Sequence, residues 1–359
     1  MKAIITAGGR GTRLRPITHN VNKHLIPLAN KPMIYYAIEK TVESGIVDIG
    51  IVINVGDTEI SANLGDGSQF GAKFTYIEQV GGPLGLAHVI KVCKNFLQDD
   101  AFLYYLGDNI VLKNMKHIID KFQKEKCNAL VCLVKAKNLL QFGVPEIKDG
   151  KIIRIEEKPQ IPKSEYAVSG VYFFDHHIFE AVENIKPSAR GELEISDANT
   201  YLIDHGYTVG YDIVDGWWKD TGTIEDLLEG NQLILDEFNS GDIKTDKSNI
   251  GSTVVMQGKV TILENTVIEG QVLIRGPVTI GRDCRIVNSY IGPYTSIGND
   301  VEVENCEIEN SIVLDYVDIN CSARIIDSVI GYNATIRSAK ATLPSGHKVI
   351  IGDNCIIEL

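Results

Sequence analysis

Near its start the chain runs Ala7-Gly8-Gly9-Arg10-Gly11-Thr12-Arg13-Leu14-Arg15-Pro16, with Lys23 a few residues on. Glycines at 8, 9 and 11 leave backbone amides uncovered and able to turn toward an anion. Arg13 and Lys23 are spaced to reach past those amides to a polyphosphate and to neutralise charge building on a departing diphosphate. A bare Gly-Gly-x-Gly is an ordinary strand-to-helix turn; the threonine, arginines and proline in order behind it point to a nucleotide loop. Spacing excludes two familiar alternatives. No Lys-Ser/Thr follows Gly11, as a P-loop requires, and Leu14 stands where the dinucleotide fingerprint needs its third glycine.

Five further groups are candidates for the site. Asp108, in Leu-Gly-Asp-Asn, and Asp220, in Trp-Lys-Asp-Thr-Gly, sit at strand ends or loops. Two such carboxylates brought together hold Mg²⁺ on phosphate oxygens, although each alone also serves as a turn former. Gln79 offers a donor and an acceptor, matching the edge of thymine or uracil, and Gly85 is expected to let the base lie against the backbone. Glu157-Lys158 pairs a carboxylate for sugar hydroxyls with a cation for a sugar phosphate; a solvated charged hairpin is the plain alternative. Glu192, Glu194 and Asp197 read as lid structure or sugar contacts, and Trp217-Trp218 as a pocket wall or core.

The elements that must position these groups alternate. Strands are expected over 2–6, 49–53, 74–77, 102–106 and 129–134, with helices over 33–44, 86–94 and 115–124 between them. That order implies an α/β fold with a mostly parallel, Rossmann-like mixed sheet in three layers. Ligands then bind at the carboxyl ends of the strands, which gathers the Gly8 loop, Asp108-Asn109 and the segment after Ile77 around one crevice. Asp149-Gly150 marks a hairpin turn between 144–147 and 151–157, and Thr223 an N-cap for a helix through Phe238. We divide the chain into a catalytic domain over 1–238, a linker over 239–248 and a repeat domain over 249–359.

In that last part aliphatic residues recur every six positions from Ile250 through Met256, Ile262, Ile268, Ile274 and Ile280 to Ile286. The series continues through Ile291, Ile297, Val303, Ile308, Leu314, Ile319, Ile325, Ile330 and Ile336, with some five-residue steps. A regular internal repeat outweighs local propensity, and this one describes a parallel β-helix of three-sided coils. Residues 350–359 are expected to close its open end.

Composition narrows the partners. A formal charge of -12 argues against nucleic acid and anionic membrane, and no apolar run approaches the roughly 20 residues of a membrane span. The seven cysteines are scattered without a Cys-x-x-Cys, as expected of reduced thiols in a cytoplasmic protein without structural zinc. The start reaches glycines too soon for a signal peptide.

The segments Gly8–Thr18, Lys23, Lys31–Tyr36, Gly85–Ala87, Gly107–Asn109, Glu157–Pro159, Gly191–Asp197 and Trp218–Gly222 together resemble the sugar-phosphate nucleotidylyltransferases. Within them the chain looks most like the thymidylyltransferases extended by a left-handed β-helix. The resemblance implies dTTP and α-D-glucose 1-phosphate giving dTDP-glucose and diphosphate with Mg²⁺. From its architecture alone, the solenoid is expected to serve assembly of a homo-oligomer through stacking of flat apolar coil faces. It implies catalytic roles for Arg13, Lys23, Asp108 and Asp220, the two aspartates holding the metal. Ala7, Gly8, Gly9, Gly11, Thr12, Arg13, Lys23, Gln79, Pro83, Gly85 and Asp108 would bind the nucleotide. Asn109, Gly143, Glu157, Lys158, Val168 and Trp218 would bind the sugar phosphate. His24, Leu84 and Phe142 depart from the short form, which has glutamine, aspartate and tyrosine there. A uridylyltransferase acting on glucose or N-acetylglucosamine 1-phosphate is the alternative. Acetyl transfer by the solenoid lacks a histidine base in the coils, since only His347 follows residue 205. A non-catalytic sensor would not be expected to keep all the cationic and acidic site residues.

Overall fold

The computed structural model describes residues 1–111, 113–136, 138–214, 216–238, 243–338 and 354–356. They form two compact units. The first comprises Met1–Arg10, Asn22–Leu25 and Met33–Asp220; the second comprises Gly11–Val21, Ile26–Pro32 and Thr221 onward.

Strands are β1 (Lys2–Thr6), β2 (Pro27–Leu28), β3 (Lys31–Pro32), β4 (Asp48–Ile53), β5 (Lys73–Glu78), β6 (Phe102–Leu106) and β7 (Asn109–Val111). They continue as β8 (Ala129–Lys135), β9 (Gly143–Lys148), β10 (Lys151–Glu157), β11 (Tyr166–Phe174), β12 (Val209–Ile213) and β13 (Trp218–Asp220). The α-helices are α1 (Met33–Glu43), α2 (Glu59–Leu64), α3 (Leu86–Val92), α4 (Lys94–Leu97), α5 (Lys116–Lys124), α6 (Ile178–Asn184), α7 (Ile195–Asp204) and α8 (Ile224–Phe238).

In the first unit a seven-stranded sheet runs β12-β8-β11-β6-β1-β4-β5. All its pairs are parallel except those of β11, which is antiparallel to both neighbours. Strand β1 shows why three layers form: Ala3 and Ile5 join one apolar cluster with α1, α2 and α5, while Ile4 joins the other with α3, α6 and α7. Such strands are buried on both faces, so they read as continuous aliphatic runs. Asp149 and Gly150 both have positive φ, the left-handed pair that a tight primed turn needs to join β9 to β10. Helices α2 and α7 had no counterpart in the sequence reading. Among the described residues no helix is long and apolar enough to cross a membrane.

The second unit is a left-handed parallel β-helix with α8 and two N-terminal segments packed in. Its short strands stack into three parallel sheets. Inward residues align as Ile262–Ile280–Ile297–Val313–Ile330, Ile250–Ile268–Ile286–Val303–Ile319–Ile336 and Met256–Ile274–Ile291–Ile308–Ile325. The expected series errs at Leu314: inter-coil pairing puts Val313 in register with Ile297 and Ile330. Coiling also begins earlier than expected, because Ile243–Thr245 pairs with Val260–Ile262. Residues 239–242 of the expected linker, His347 and most of the expected closing segment lie outside the described residues. Thr223 caps α8 reciprocally: its Oγ1 accepts from the Asp226 amide at 3.2 Å, and its own amide donates to Asp226 Oδ2 at 3.0 Å.

Candidate active site

The carboxyl ends of β1, β4, β5 and β6 surround a cavity of about 240 Å³ in the first unit. Its walls include Gly8, Gly9, Gln79, Pro83, Gly85 and Asp108, the expected nucleotide residues, with His24 and Glu192 among the others. Ala7 lies beneath, its amide donating to the Val52 carbonyl at 2.7 Å.

Lys23 is held by its neighbour. The Asn22 Nδ2 donates to the Ala7 carbonyl at 3.1 Å and to Asp57 Oδ2 at 2.9 Å, both pure acceptors, which fixes the direction of the amide. Asn22 Oδ1 therefore accepts, taking the His24 backbone N–H at 3.0 Å and His24 Nδ1 at 2.9 Å. His24 thus carries its proton on Nδ1 and keeps Nε2 as an acceptor. Burial, then the Lys23 charge, lowers its pKa to about 3, so the ring is neutral. Sequence reading noticed His24 but gave no signal for Asn22.

With that turn fixed, the Lys23 ammonium forms an ion pair with Asp108 Oδ2. Burial alone would raise the Asp108 pKa, but the Lys23 charge and hydrogen bond win and hold it at about 2. Gly107 sets the approach: a β-carbon there would lie 2.3 Å from the Thr6 carbonyl oxygen, so only glycine lets β6 turn this tightly against β1.

The second carboxylate arrives on a ribbon. β13 pairs antiparallel with β7, placing Asp220 opposite Asn109, next in sequence to Asp108. Asn109 is 3% exposed and donates from Nδ2 to Asp108 Oδ1 at 3.1 Å. Its Oδ1 is buried without a hydrogen-bond partner among the described residues. Two carboxylates and an unsatisfied amide oxygen are an all-oxygen set, the kind a hard divalent cation takes.

The expected sugar residues gather along the β9–β10 hairpin and β11. Register pairs Glu157 with Gly143, and Ser196 Oγ donates to Glu157 Oε2 at 2.9 Å. Burial raises the Glu157 pKa against that hydrogen bond. Lys158 follows, exposed and in the left-handed region at φ 47°. Val168 pairs with Leu133 on the sheet, and the Trp218 indole donates to the Ser169 carbonyl at 2.8 Å with its ring against the edge of Phe142.

Arg190 is a residue that sequence reading missed. Its guanidinium lies 2.9 Å from Glu194, 3.4 Å from Glu192 and 3.6 Å from Glu157, so one cation gathers three carboxylates. Gly170, also missed, clears space at a break in β11 register, where a β-carbon would lie 3.0 Å from Asn109 Nδ2.

Gly85 lines the cavity and is also required by the chain: with φ 100°, its β-carbon would lie 2.5 Å from the Leu193 carbonyl oxygen. The expected nucleotide residues Gly11, Thr12 and Arg13 belong to the second unit, where the Arg13 guanidinium lies 3.0 Å from the position a Gly222 β-carbon would take.

A family model described as nucleotidyl transferase matches residues 2–237. The chain is 41% identical over 362 residues to the low-salt glycan biosynthesis nucleotidyltransferase Agl11 of Haloferax volcanii, covering 100% of both chains. It is 42% identical over 359 residues to a glucose-1-phosphate thymidylyltransferase of Streptomyces griseus, covering 99% of this chain and 98% of that one. A candidate glucose-1-phosphate thymidylyltransferase of Bacillus anthracis, solved in complex with sucrose, superposes with a TM-score of 0.61 at 41% identity over 65% of this chain and 94% of the other. The chain is an enzyme of the nucleotidyl transferase family.

Proposed function

We propose that the protein is a glucose-1-phosphate thymidylyltransferase. A phosphate oxygen of α-D-glucose 1-phosphate attacks the α-phosphorus of dTTP in line. The bond to the bridging oxygen breaks, diphosphate leaves and dTDP-glucose forms. The observation that carries this reading is the Lys23–Asp108 pair beside a cavity that also contains Gln79 and the Gly8 turn.

Each residue then has a task. Lys23 holds triphosphate oxygens and offsets charge on the departing diphosphate, which is most of what such transfer asks of a protein. Arg13, from its place behind the glycine turn, adds a second cation. Gln79 and the neutral His24 offer donor and acceptor groups to the pyrimidine edge. Glu157 accepts from sugar hydroxyls, and Lys158 binds the sugar phosphate. Asp108 and Asp220, with Asn109, would hold Mg²⁺, which when bound supplies charge neutralisation between phosphate oxygens.

The departure at His24 keeps a second reading in view: the same site acting on UTP, with glucose or N-acetylglucosamine 1-phosphate. Diphosphate release over a matrix of dTTP and UTP against both sugar phosphates separates them. The highest kcat/KM is expected for dTTP with glucose 1-phosphate; a preference for UTP with either sugar overturns the assignment. The free coils of the solenoid are read as an assembly surface in a cytoplasmic homo-oligomer. A monomer by light scattering would contradict the assembly reading.

A further inference from the structure

Asn22 ties together three parts of the first unit. Its backbone N–H donates to Glu59 Oε2 at 2.9 Å. Its Nδ2 donates to the Ala7 carbonyl, just past the end of β1, and to Asp57 Oδ2. Its Oδ1 accepts from the His24 backbone and from His24 Nδ1. A carbonyl and a carboxylate can only accept, and a backbone N–H can only donate. The amide therefore fits in one orientation, with both its ends spent.

Asp57 is the other half of this joint. Its backbone N–H donates to the Asn54 carbonyl at 3.1 Å, closing the turn that follows β4. Its Oδ1 accepts from the amides of Glu59 and Ile60, the first two residues of α2, at 3.0 and 3.3 Å. That leaves Oδ2 for Asn22 at 2.9 Å. One carboxylate thus closes a helix start on one side and holds the Lys23 turn on the other.

The side chains that follow Asn22 are set close against backbone. Lys23 Cε lies 3.0 Å from the position a Gly9 β-carbon would take, and His24 Cε1 lies 3.4 Å from it. On the far edge of the ring, His24 Cδ2 lies 3.3 Å from the position of a Gly107 β-carbon. His24 lines the nucleotide cavity with Gly9; Asn22 and Asp57 do not.

We propose that Asn22 and Asp57 are a positioning pair. Together they set the Lys23 turn against Asp108, and they decide which nitrogen of His24 carries the proton. The second effect determines whether the cavity meets an acceptor or a donor at His24. Both residues act through Lys23 and His24 rather than on substrate. Misplacing a catalytic group by about 1 Å can cost on the order of 100-fold in rate. The kinetic part of this inference rests on the proposed transfer reaction; the tautomer part does not.

The test uses the full-length chain and reads the tautomer by nuclear magnetic resonance of protein labelled at the histidine nitrogens. The His24 signal, assigned by its loss in His24→Gln, is expected to show a proton on Nδ1 and none on Nε2. Asn22→Ala is expected to remove that preference. In diphosphate release its kcat is expected to fall at least about tenfold, the size of a lost hydrogen bond to a charged group, with the KM for sugar phosphate unchanged. Exchanging the two side chains separates positioning from a general loss of stability. Asn22→Asp sets carboxylate against carboxylate. Asp57→Asn sets N–H against N–H, toward Asn22 or toward α2, whichever way the new amide turns. The double variant restores one donor and one acceptor across the gap. It is expected to turn over at least about threefold faster than either single variant, a coupling usual for contacting residues. A wild-type His24 proton on Nε2, an unchanged tautomer in folded Asn22→Ala, or a double variant no faster than its single parents overturns the proposal. A shifted tautomer in Asn22→Ala, together with a wild-type chain that releases no diphosphate, leaves the positioning standing and sinks the proposed reaction instead.

Discussion

Asp220 lies opposite Asn109 across the β7–β13 ribbon, and that single pairing brings two aspartates 112 positions apart in sequence (220 minus 108) to one place. Asn109 joins them through its hydrogen bond to Asp108 and contributes a buried oxygen with no protein partner among the described residues. If this corner holds the metal, Asp220→Asn raises the Mg²⁺ concentration for half-maximal rate by at least about tenfold, the loss typical when support for a metal site is removed. A Mg²⁺ titration of diphosphate release measures it; an unshifted midpoint removes Asp220 from the metal site.

Glu157 is held by Ser196 and lies within reach of Arg190. Glu157→Gln removes the charge while keeping the shape. The KM for sugar phosphate is expected to rise about tenfold, as for a charge-assisted hydrogen bond, with the KM for triphosphate steady. Equal changes in both constants would place Glu157 outside the sugar site.

His24 links the site to pH. Its folded pKa, about 3, lies below the ordinary 6.5 because burial and then Lys23 disfavour the cation. Below pH 6.5 the unfolded chain takes up a proton that the folded chain refuses, so stability is fully present above 6.5 and is lost as pH falls toward 3. The slope from this residue is about 1.4 kcal/mol per pH unit within that window. Urea unfolding of the ligand-free protein at successive pH values should show a shallower acid slope for His24→Gln. Parallel slopes would mean that His24 is protonated in the fold.

Gly85→Ala forces a β-carbon onto the Leu193 backbone at a residue with φ 100°. Overpacking and left-handed strain each cost about 1–3 kcal/mol, so a clear fall in thermal midpoint is expected. Wild-type stability would show that the 84–87 and 192–193 segments separate freely.

Sequence reading located the glycine loop, Lys23 and the two aspartates because local order encodes them: an anion loop needs consecutive small residues, and strand-end aspartates follow aliphatic runs. The coil repeat was legible for a similar reason, each turn burying one aliphatic residue. It slipped at Val313-Leu314, where two aliphatics are adjacent and a shortened coil step leaves only inter-coil hydrogen bonding to decide which points inward. Arg190, Asn22 and Gly170 were invisible for a different reason. Each acts through partners distant in sequence, and nothing in its own neighbourhood sets it apart from an ordinary surface arginine, turn asparagine or strand glycine. Gly85 was legible by position, but a second reason for glycine there was not, because the backbone that crowds it comes from residues 192–193.

The central claim is that the Lys23–Asp108 corner carries nucleotidyl transfer. The most direct measurement is diphosphate release at saturating dTTP, glucose 1-phosphate and Mg²⁺, wild type against Asp108→Asn. A loss of about 100-fold or more is expected, the usual cost of removing one electrostatic stabiliser of the transition state. A folded Asp108→Asn variant turning over within about a factor of three of wild type would contradict the account.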